Sequence, residues 1–230
     1  MGSDSWRTMV CEIRGNTLIG GGGIMSYDWS EPLIEDNVLL DGPHIAGKIG
    51  DGATIRGNEI SGAHVEGIAM LEATRSLFEG NVITGVPTAI SVGITATSEG
   101  IDPVIRGNSI RHSQTAIAVH TDAMPIIASN VLTDNDVAIS IVGSDAFVAA
   151  NELCDNVGGI VVSDGAPTVE GNSITGGTTG ISLAGPGAIP TLSGNTVCGN
   201  ETNVSLSFGA EMPDTGDNEI CPDDVNVSPS

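Results

Sequence analysis

Seven side chains of this 230-residue chain could do chemistry together: Tyr27, Asp28, Trp29, Lys48, Glu72, His120 and Asp122. They gather at one position of an internal repeat, where the chain turns outward after a strand. In repeat order that position reads Tyr27, Lys48, Leu71, Gly93, His120, Val142, Ser163, Ala184 and Ser207. The following residue adds Asp28, Glu72 and Asp164, with Trp29 and Asp122 close by. Carboxylates set on either side of a glycosidic bond can serve as general acid and base. Glu72, Asp122 and His120 are therefore the catalytic candidates, and Asp28 could join them as a further carboxylate. Tyr27, Asp28, Trp29 and Lys48 are the candidates for holding a sugar, with rings to stack on and polar tips to bond. Turns also collect Asp, Ser and Gly for purely conformational reasons, and Glu72 and Asp122 lie two repeats apart.

The repeat itself positions these residues. Ten asparagines mark it: Asn16, Asn37, Asn58, Asn81, Asn108, Asn130, Asn151, Asn172, Asn195 and Asn218, spaced 21 to 27 residues apart. Three residues earlier stand Ile13, Ile34, Ile55, Phe78, Ile105, Ile127, Val148, Val169 and Leu192, with Thr215 the polar exception. Two residues later comes an aliphatic side chain every time, from Leu18 to Ile220. A further strand follows, whose first inward residue runs from Ile24 through Ile90 and Ile139 to Val204. From Val92 to Leu206 a second inward residue sits two positions on, the spacing of a strand with one buried face. Proline recurs five residues before the Asn (Pro32, Pro103, Pro125, Pro167, Pro190, Pro213), where a strand can begin without an N–H to donate. No single repeat can bury its own apolar face, so the repeats must stack and share a core. The fold class is all-β, a right-handed parallel β-helix (a solenoid) of about ten coils over residues 11–225. Residues 1–10 read as a leader or cloning scar and 226–230 as a disordered tail. Asn suits the recurring bend, because it tolerates left-handed backbone angles and its amide can bond to copies above and below. The glycine that often precedes it eases the same corner.

Stacking turns sequence columns into spatial neighbours. Two residues before the Asn, the first five coils read Arg14, Glu35, Arg56, Glu79, Arg106, which predicts an external ladder of ion pairs. Cys198 and Cys221 both lie three residues after the Asn in adjacent coils, within disulfide range. That bond would clamp the last coil and mark an oxidising compartment. Cys154 shares the column two coils away, too distant to compete, and Cys11 has no evident partner. The outward residue of the longer strand is usually small: Ala69, Ser91, Ala118, Ser140, Ser182, Ser205. The gap from Asn81 to Asn108 accommodates an excursion near 95–102 that holds no aromatic or basic residue.

The net charge of −22, from 29 acidic and 7 basic residues, excludes nucleic acid as a natural partner by repulsion. No apolar stretch is long enough for a transmembrane segment. His44, His64, His112 and His120 occupy different repeat positions, which does not make a histidine metal cluster. No cofactor is implied; acidic residues such as Asp214, Asp217, Asp223 and Asp224 could take Ca2+, but without the spacing of a recognised calcium loop.

The runs Ile105-Arg106-Gly107-Asn108-Ser109-Ile110 and Gly180-Ile181-Ser182-Leu183 resemble the repeats of the pectate-lyase-like superfamily. They also resemble the domain called a carbohydrate-binding and sugar-hydrolysis module. The resemblance implies an extracellular or periplasmic β-helix that meets polysaccharide or a protein surface. It allows Lys48, Tyr27 or His120 to abstract a proton beside a uronate carboxylate, as lyases and epimerases of this fold do. The superfamily's Asn-Thr-Asp, Gly-His-Gly and Asp-Pro-His-Asp signatures are absent, however, as is a lyase face rich in Arg and Lys. Whether the chain is an enzyme stays open. A noncatalytic binding module, a carbohydrate-active lyase, hydrolase or epimerase, and a ligand-free rod are the three functions compatible with the sequence.

Overall fold

The computed structural model describes residues 11–27, 31–48, 52–71, 75–93, 103–221 and 225–227. Among them there is no helix, and hence none able to cross a membrane. Each coil carries three strands, and equivalent strands stack into three parallel sheets of nine, ten and ten strands. The first sheet runs from Glu12–Arg14 to Thr191–Ser193, the second from Thr17–Ile19 to Glu219–Ile220. The third runs from Gly23–Tyr27 to Val225–Val227. It thus continues to Val227, inside the 226–230 stretch read above as tail. Thr215, the polar exception in the repeat, falls where the first sheet has already ended.

The short strands of the first two sheets each turn one residue inward. Ile34, Ile55, Phe78, Ile105, Ile127 and Val148 stack in one file, and Leu39, Ile60, Ile83, Ile110 and Leu132 in the next, all fully buried. The longer third-sheet strands turn two inward, such as Ile90 with Val92 and Ile139 with Ile141. Burial of such side chains stabilises by about 2 kcal/mol each, which makes this aliphatic column the main cohesive element. The prolines lie just before first-sheet strands, and their carbonyls accept the next coil's N–H, as from Phe147 to Pro125 at 2.9 Å. Proline costs nothing there, because only its acceptor is used.

The corner between the first and second sheets holds the asparagines: the eight from Asn37 to Asn195 are 0–2 % exposed, and Asn16 and Asn218 are bonded into the same file at its ends. Asn58 shows the pattern. Its Nδ2 donates to Asn81 Oδ1 at 3.0 Å, and its own backbone N–H donates to that oxygen at 3.1 Å. Nδ2 also donates to Ile34 O of the coil below at 3.0 Å. The same bonds run from Asn16 to Asn218. A buried corner is thereby fully satisfied, where any unpaired group would cost about 1–3 kcal/mol.

One expectation is corrected here. The left-handed residue of this corner is not the Asn but its predecessor: Gly15, Asp36, Gly57, Gly80, Gly107, Ser129, Ala150, Gly171 and Gly194 all have φ between 53° and 62° or close to it. The Asn keeps an ordinary backbone and contributes its amide alone. Glycine dominates the position before it because only glycine adopts that φ without strain.

Candidate functional site

The third sheet brings the predicted column together at the level of the backbone. Tyr27 pairs with Lys48, Lys48 with Leu71 and Leu71 with Gly93. The His120 N–H then donates to Val92 O at 2.9 Å, carrying the column into the fifth coil. Val142, Ser163, Ala184 and Ser207 continue it. The side chains of Tyr27 and Lys48, and Asp28, Trp29 and Glu72 entirely, lie outside the described residues.

His120 and Asp122 are both among the described residues. The His120 ring folds back over the outer face of the third sheet, with Nε2 3.3 Å from Ser91 Oγ. Gly93 makes room for it, since a Cβ there would sit 3.0 Å from the His120 Cβ. Ser91 is consequently 4 % exposed although it occupies the outward row. Asp122 adopts φ 64° in the turn that follows. Its N–H donates to Gly143 O at 3.0 Å, while Ala123 N–H donates to His120 O at 3.2 Å. A hydroxyl beside an imidazole is the beginning of a nucleophile–base pair, yet no carboxylate hydrogen-bonds the His120 ring among the described residues. The sequence signal for this contact is a small outward residue, Ser91, followed two positions later by Gly93.

A second corner was also missed. Four residues after each repeat Asn the backbone is again left-handed, at Gly20, Asp41, Gly62, Gly85, His112, Asp134, Asp155, Gly176 and Gly199. Where the next residue is Asn, a shorter amide ladder forms. Asn135 Nδ2 donates to Asn156 Oδ1 at 2.9 Å, and Ser113 N–H donates to Asn135 Oδ1 at 3.0 Å. Gly177 interrupts it, and a groove of about 500 Å³ opens beside Asp155, Gly176, Gly177 and Glu201. Another cleft, about 560 Å³, lies between the last first-sheet strand and Glu211–Asp217. Its Asp217 is engaged in capping the sheet, accepting from Gly194 N–H at 3.1 Å. Neither cleft contains any of the seven predicted residues.

The charged column behaves as predicted over part of its length. Glu35 meets Arg14 at 3.5 Å and Arg56 at 2.6 Å, and Glu79 meets Arg106 at 2.7 Å. These arginines are committed to carboxylates in a neighbouring coil. The cysteine column also forms as expected: Cys198 and Cys221 are disulfide-bonded, and Cys11 and Cys154 are free. Cys154 Sγ donates to Asp155 Oδ2 at 3.3 Å. That bond to a carboxylate, then desolvation, raises the thiol above its ordinary pKa, which favours the protonated form.

The family model described as right-handed beta helix region matches residues 2–153. A second, described as periplasmic copper-binding protein (NosD), matches residues 90–220. No curated protein matches the chain. The second description invites a test of the metal donors. Among the described residues, one group of ligating side chains is close enough to share an ion: Cys198, Glu219 and Cys221, with ligand atoms within 4.8 Å of one another. The two sulfurs are bonded to each other, so neither offers a thiolate, and a copper ion does not fit this state of the group.

Proposed function

The chain belongs to the right-handed β-helix family and, over residues 90–220, to the NosD family; from that premise we propose that it is a noncatalytic module of an exported protein and binds a neutral polysaccharide. The observation that carries this is the register of Tyr27, Lys48, Leu71 and Gly93 at the end of one sheet. Loops leaving successive coils from equivalent points present their residues side by side, at the roughly 4.8 Å spacing of parallel strands. Tyr27 and Lys48 end their strands, and Asp28, Trp29 and Glu72 follow directly after strand ends in the sequence. A linear polymer lying along the rod would meet rings and hydrogen-bonding groups from consecutive coils. Neutral sugars fit better than acidic ones, because a net charge of −22 repels a polyanion.

Binding is favoured over turnover by the environment of His120. Its ring is turned toward Ser91 on the sheet face, and among the described residues no carboxylate hydrogen-bonds it. Export is supported by the disulfide, a bond characteristic of oxidising compartments, and by the NosD description, which is periplasmic.

Affinity electrophoresis against neutral and acidic polysaccharides, run beside a reducing-end assay, tests this. A neutral glycan should retard the protein, and Trp29→Ala with Lys48→Ala should abolish the retardation without changing the far-UV spectrum. New reducing ends that disappear in Glu72→Ala or Asp122→Ala would replace the module with a hydrolase. Absence of retardation by every glycan would leave a ligand-free rod.

A further inference from the structure

We propose that the open edge of the first sheet, at Pro190–Leu192, takes an extended basic segment of a partner protein, which adds to Thr191–Ser193 as a further parallel strand. Thr191–Ser193 is the last strand of that sheet, whereas Tyr27 and Lys48 belong to the first two coils. The site therefore stands or falls independently of glycan binding.

The rung that would cover this edge is missing. Thr191–Ser193 is paired on one side only, with Thr168–Glu170. In each earlier coil the carbonyl just before the first-sheet strand accepts an N–H from the next coil. Pro103 O accepts from Ile126, Pro125 O from Phe147 and Pro167 O from Thr191, each at 2.9 Å. Pro190 O accepts from no N–H among the described residues. Thr191 N–H and Ser193 O are bonded to the preceding coil, so by the alternation of a parallel ladder Leu192 presents its N–H and C=O to the open side. Leu192 O accepts from Asn218 Nδ2 at 3.0 Å, and Gly194 N–H donates to Asp217 Oδ1 at 3.1 Å. The Leu192 N–H has no acceptor among the described residues. Side chains thus cap the downstream half of the edge and leave the upstream half bare. Pro190 O and Leu192 N–H are the two points to which the N–H and C=O of one residue in an added strand would bond.

The chain's own segment at this place does not fill it. Pro213, Asp214 and Thr215 stand at the repeat positions of Pro190, Thr191 and Leu192, counted from Asn218 and Asn195. They make a turn instead, in which Gly216 N–H donates to Asp214 Oδ1 at 3.0 Å and Asn218 N–H to Thr215 O at 2.8 Å. The cleft of about 560 Å³ separates that turn from the edge, a size within the roughly 300–1,000 Å³ of ligand clefts. Its walls select what enters. Ile189 and Met212 line it with 62 % and 39 % of their surface exposed, and offer apolar contact. Its charged lining residues are Glu211, Asp214 and Asp217, all acidic. Asp217 is engaged with Ser193 and Gly194, which leaves Glu211 and Asp214 to meet a cation. A second copy of the chain, at a net charge of −22, is repelled. A peptide with Lys or Arg flanking the bonded residue satisfies both the edge and its rim.

The test adds the peptide acetyl-Lys-Pro-Lys-Val-Lys-amide to the isotope-labelled full chain and follows backbone amides by NMR. Its proline takes the place above Pro190, and its central lysine supplies the N–H and C=O. The Leu192 amide should shift, and its hydrogen exchange should slow. The same peptide N-methylated at the central lysine keeps its charge but lacks the N–H for Pro190 O, and should bind about tenfold more weakly. Glu211→Gln/Asp214→Asn should bind the parent peptide severalfold more weakly, with an unchanged far-UV spectrum. Equal affinity for the two peptides overturns strand addition, since attraction by charge alone would hold both alike. A Leu192 amide undisturbed at millimolar peptide overturns the site. Equal binding of acetyl-Ser-Pro-Ser-Val-Ser-amide overturns the preference for a basic segment. Dimers in sedimentation that the peptide dissolves would make a second copy the occupant and overturn the choice of partner.

Discussion

Two corners of the same coil follow opposite rules. The corner between the first and second sheets repeats almost without variation: a left-handed residue, then an Asn whose amide bonds upward, downward and to its own rung. Among the described residues, the corner where the third sheet returns to the first has no such file, and its residues change from coil to coil, from Tyr27 and Lys48 to His120, Val142 and Ser207. The difference has a physical origin. A buried corner must satisfy every polar group within the protein, and one side chain that does so by bonding to its own copies is a solution that every coil can share. A corner open to water has no such constraint, so its residues are free to answer to a ligand. Uniformity marks what the coil needs to stand, and variety marks where it can act.

The sharpest way to break this contrast is to remove one amide from the buried corner and one side chain from the open corner. In Asn130→Ala, the N–H and the Nδ2 of Asn108 lose their shared acceptor, and Ile105 O loses a donor. These groups are buried and no water can replace the partner without a cavity to hold it. The expected loss is about 4 kcal/mol, from the stranded groups and the missing volume. His120→Ala should cost under about 1 kcal/mol, since it removes one contact to Ser91 from an exposed ring. Urea unfolding of the two variants would measure both, and equal losses would show that the two corners are not energetically distinct.

The next largest effect is at the end of the buried corner's column. Cys198→Ser opens a loop of 23 residues, worth about 3 kcal/mol by loop entropy. Because a solenoid coil touches mainly its neighbours, the loss should appear as early exchange of amides in Glu219–Cys221 before the rest unfolds. A reductant should do the same to the parent and nothing further to the variant. Uniform destabilisation of all coils would contradict a nearest-neighbour stack.

How much of this was legible beforehand depended on whether a residue answered to the lattice. The file from Asn16 to Asn218, the Arg14–Arg106 charges and the Cys198–Cys221 pair could be read because each is a column, and columns become contacts once coils stack. What escaped was conformation within a rung. The sequence shows Gly107 and Asn108 side by side but not which one takes the left-handed angle; both residue types accept it, and the hydrogen-bonding geometry decided. The second ladder escaped because its column is broken, with Asn at 135, 156 and 200 but Gly at 177. His120 escaped because its direction depends on the space that Gly93 leaves and on Ser91, which lies two positions away from its own column.

That broken ladder gives an intermediate case between the two corners. Asn135→Ala strands Ser113 N–H and releases Ile110 O from a 3.2 Å bond. The fold already tolerates Gly177 in this file, so the corner does not depend on every amide. A loss of about 2 kcal/mol is expected, half that of Asn130→Ala. A cost as large as that of Asn130→Ala would mean that both inner corners are equally demanding and that Gly177 is compensated elsewhere.

The smallest effect concerns a column that is regular yet exposed, and it separates regularity from burial as the source of strength. Glu35 lies between Arg14 and Arg56, and its side chain is 15 % exposed; Glu79 bonds Arg106, and its side chain is 36 % exposed. Ion pairs at the surface lose most of their Coulomb energy to water and to the entropy of holding long side chains. Glu35→Gln should therefore cost about 1 kcal/mol at low salt, reflecting two partners and partial burial, and Glu79→Gln about half of that or less. Raising the ionic strength to about 1 M shortens the screening length to roughly 3 Å and should erase most of both differences. The cost of Asn130→Ala should not move with salt, since no charge is involved. If Glu35→Gln proved as costly as the loss of a ladder amide, and stayed so in high salt, repetition alone would suffice to make a column structural, and the distinction between the buried and open corners would have to be drawn on other grounds.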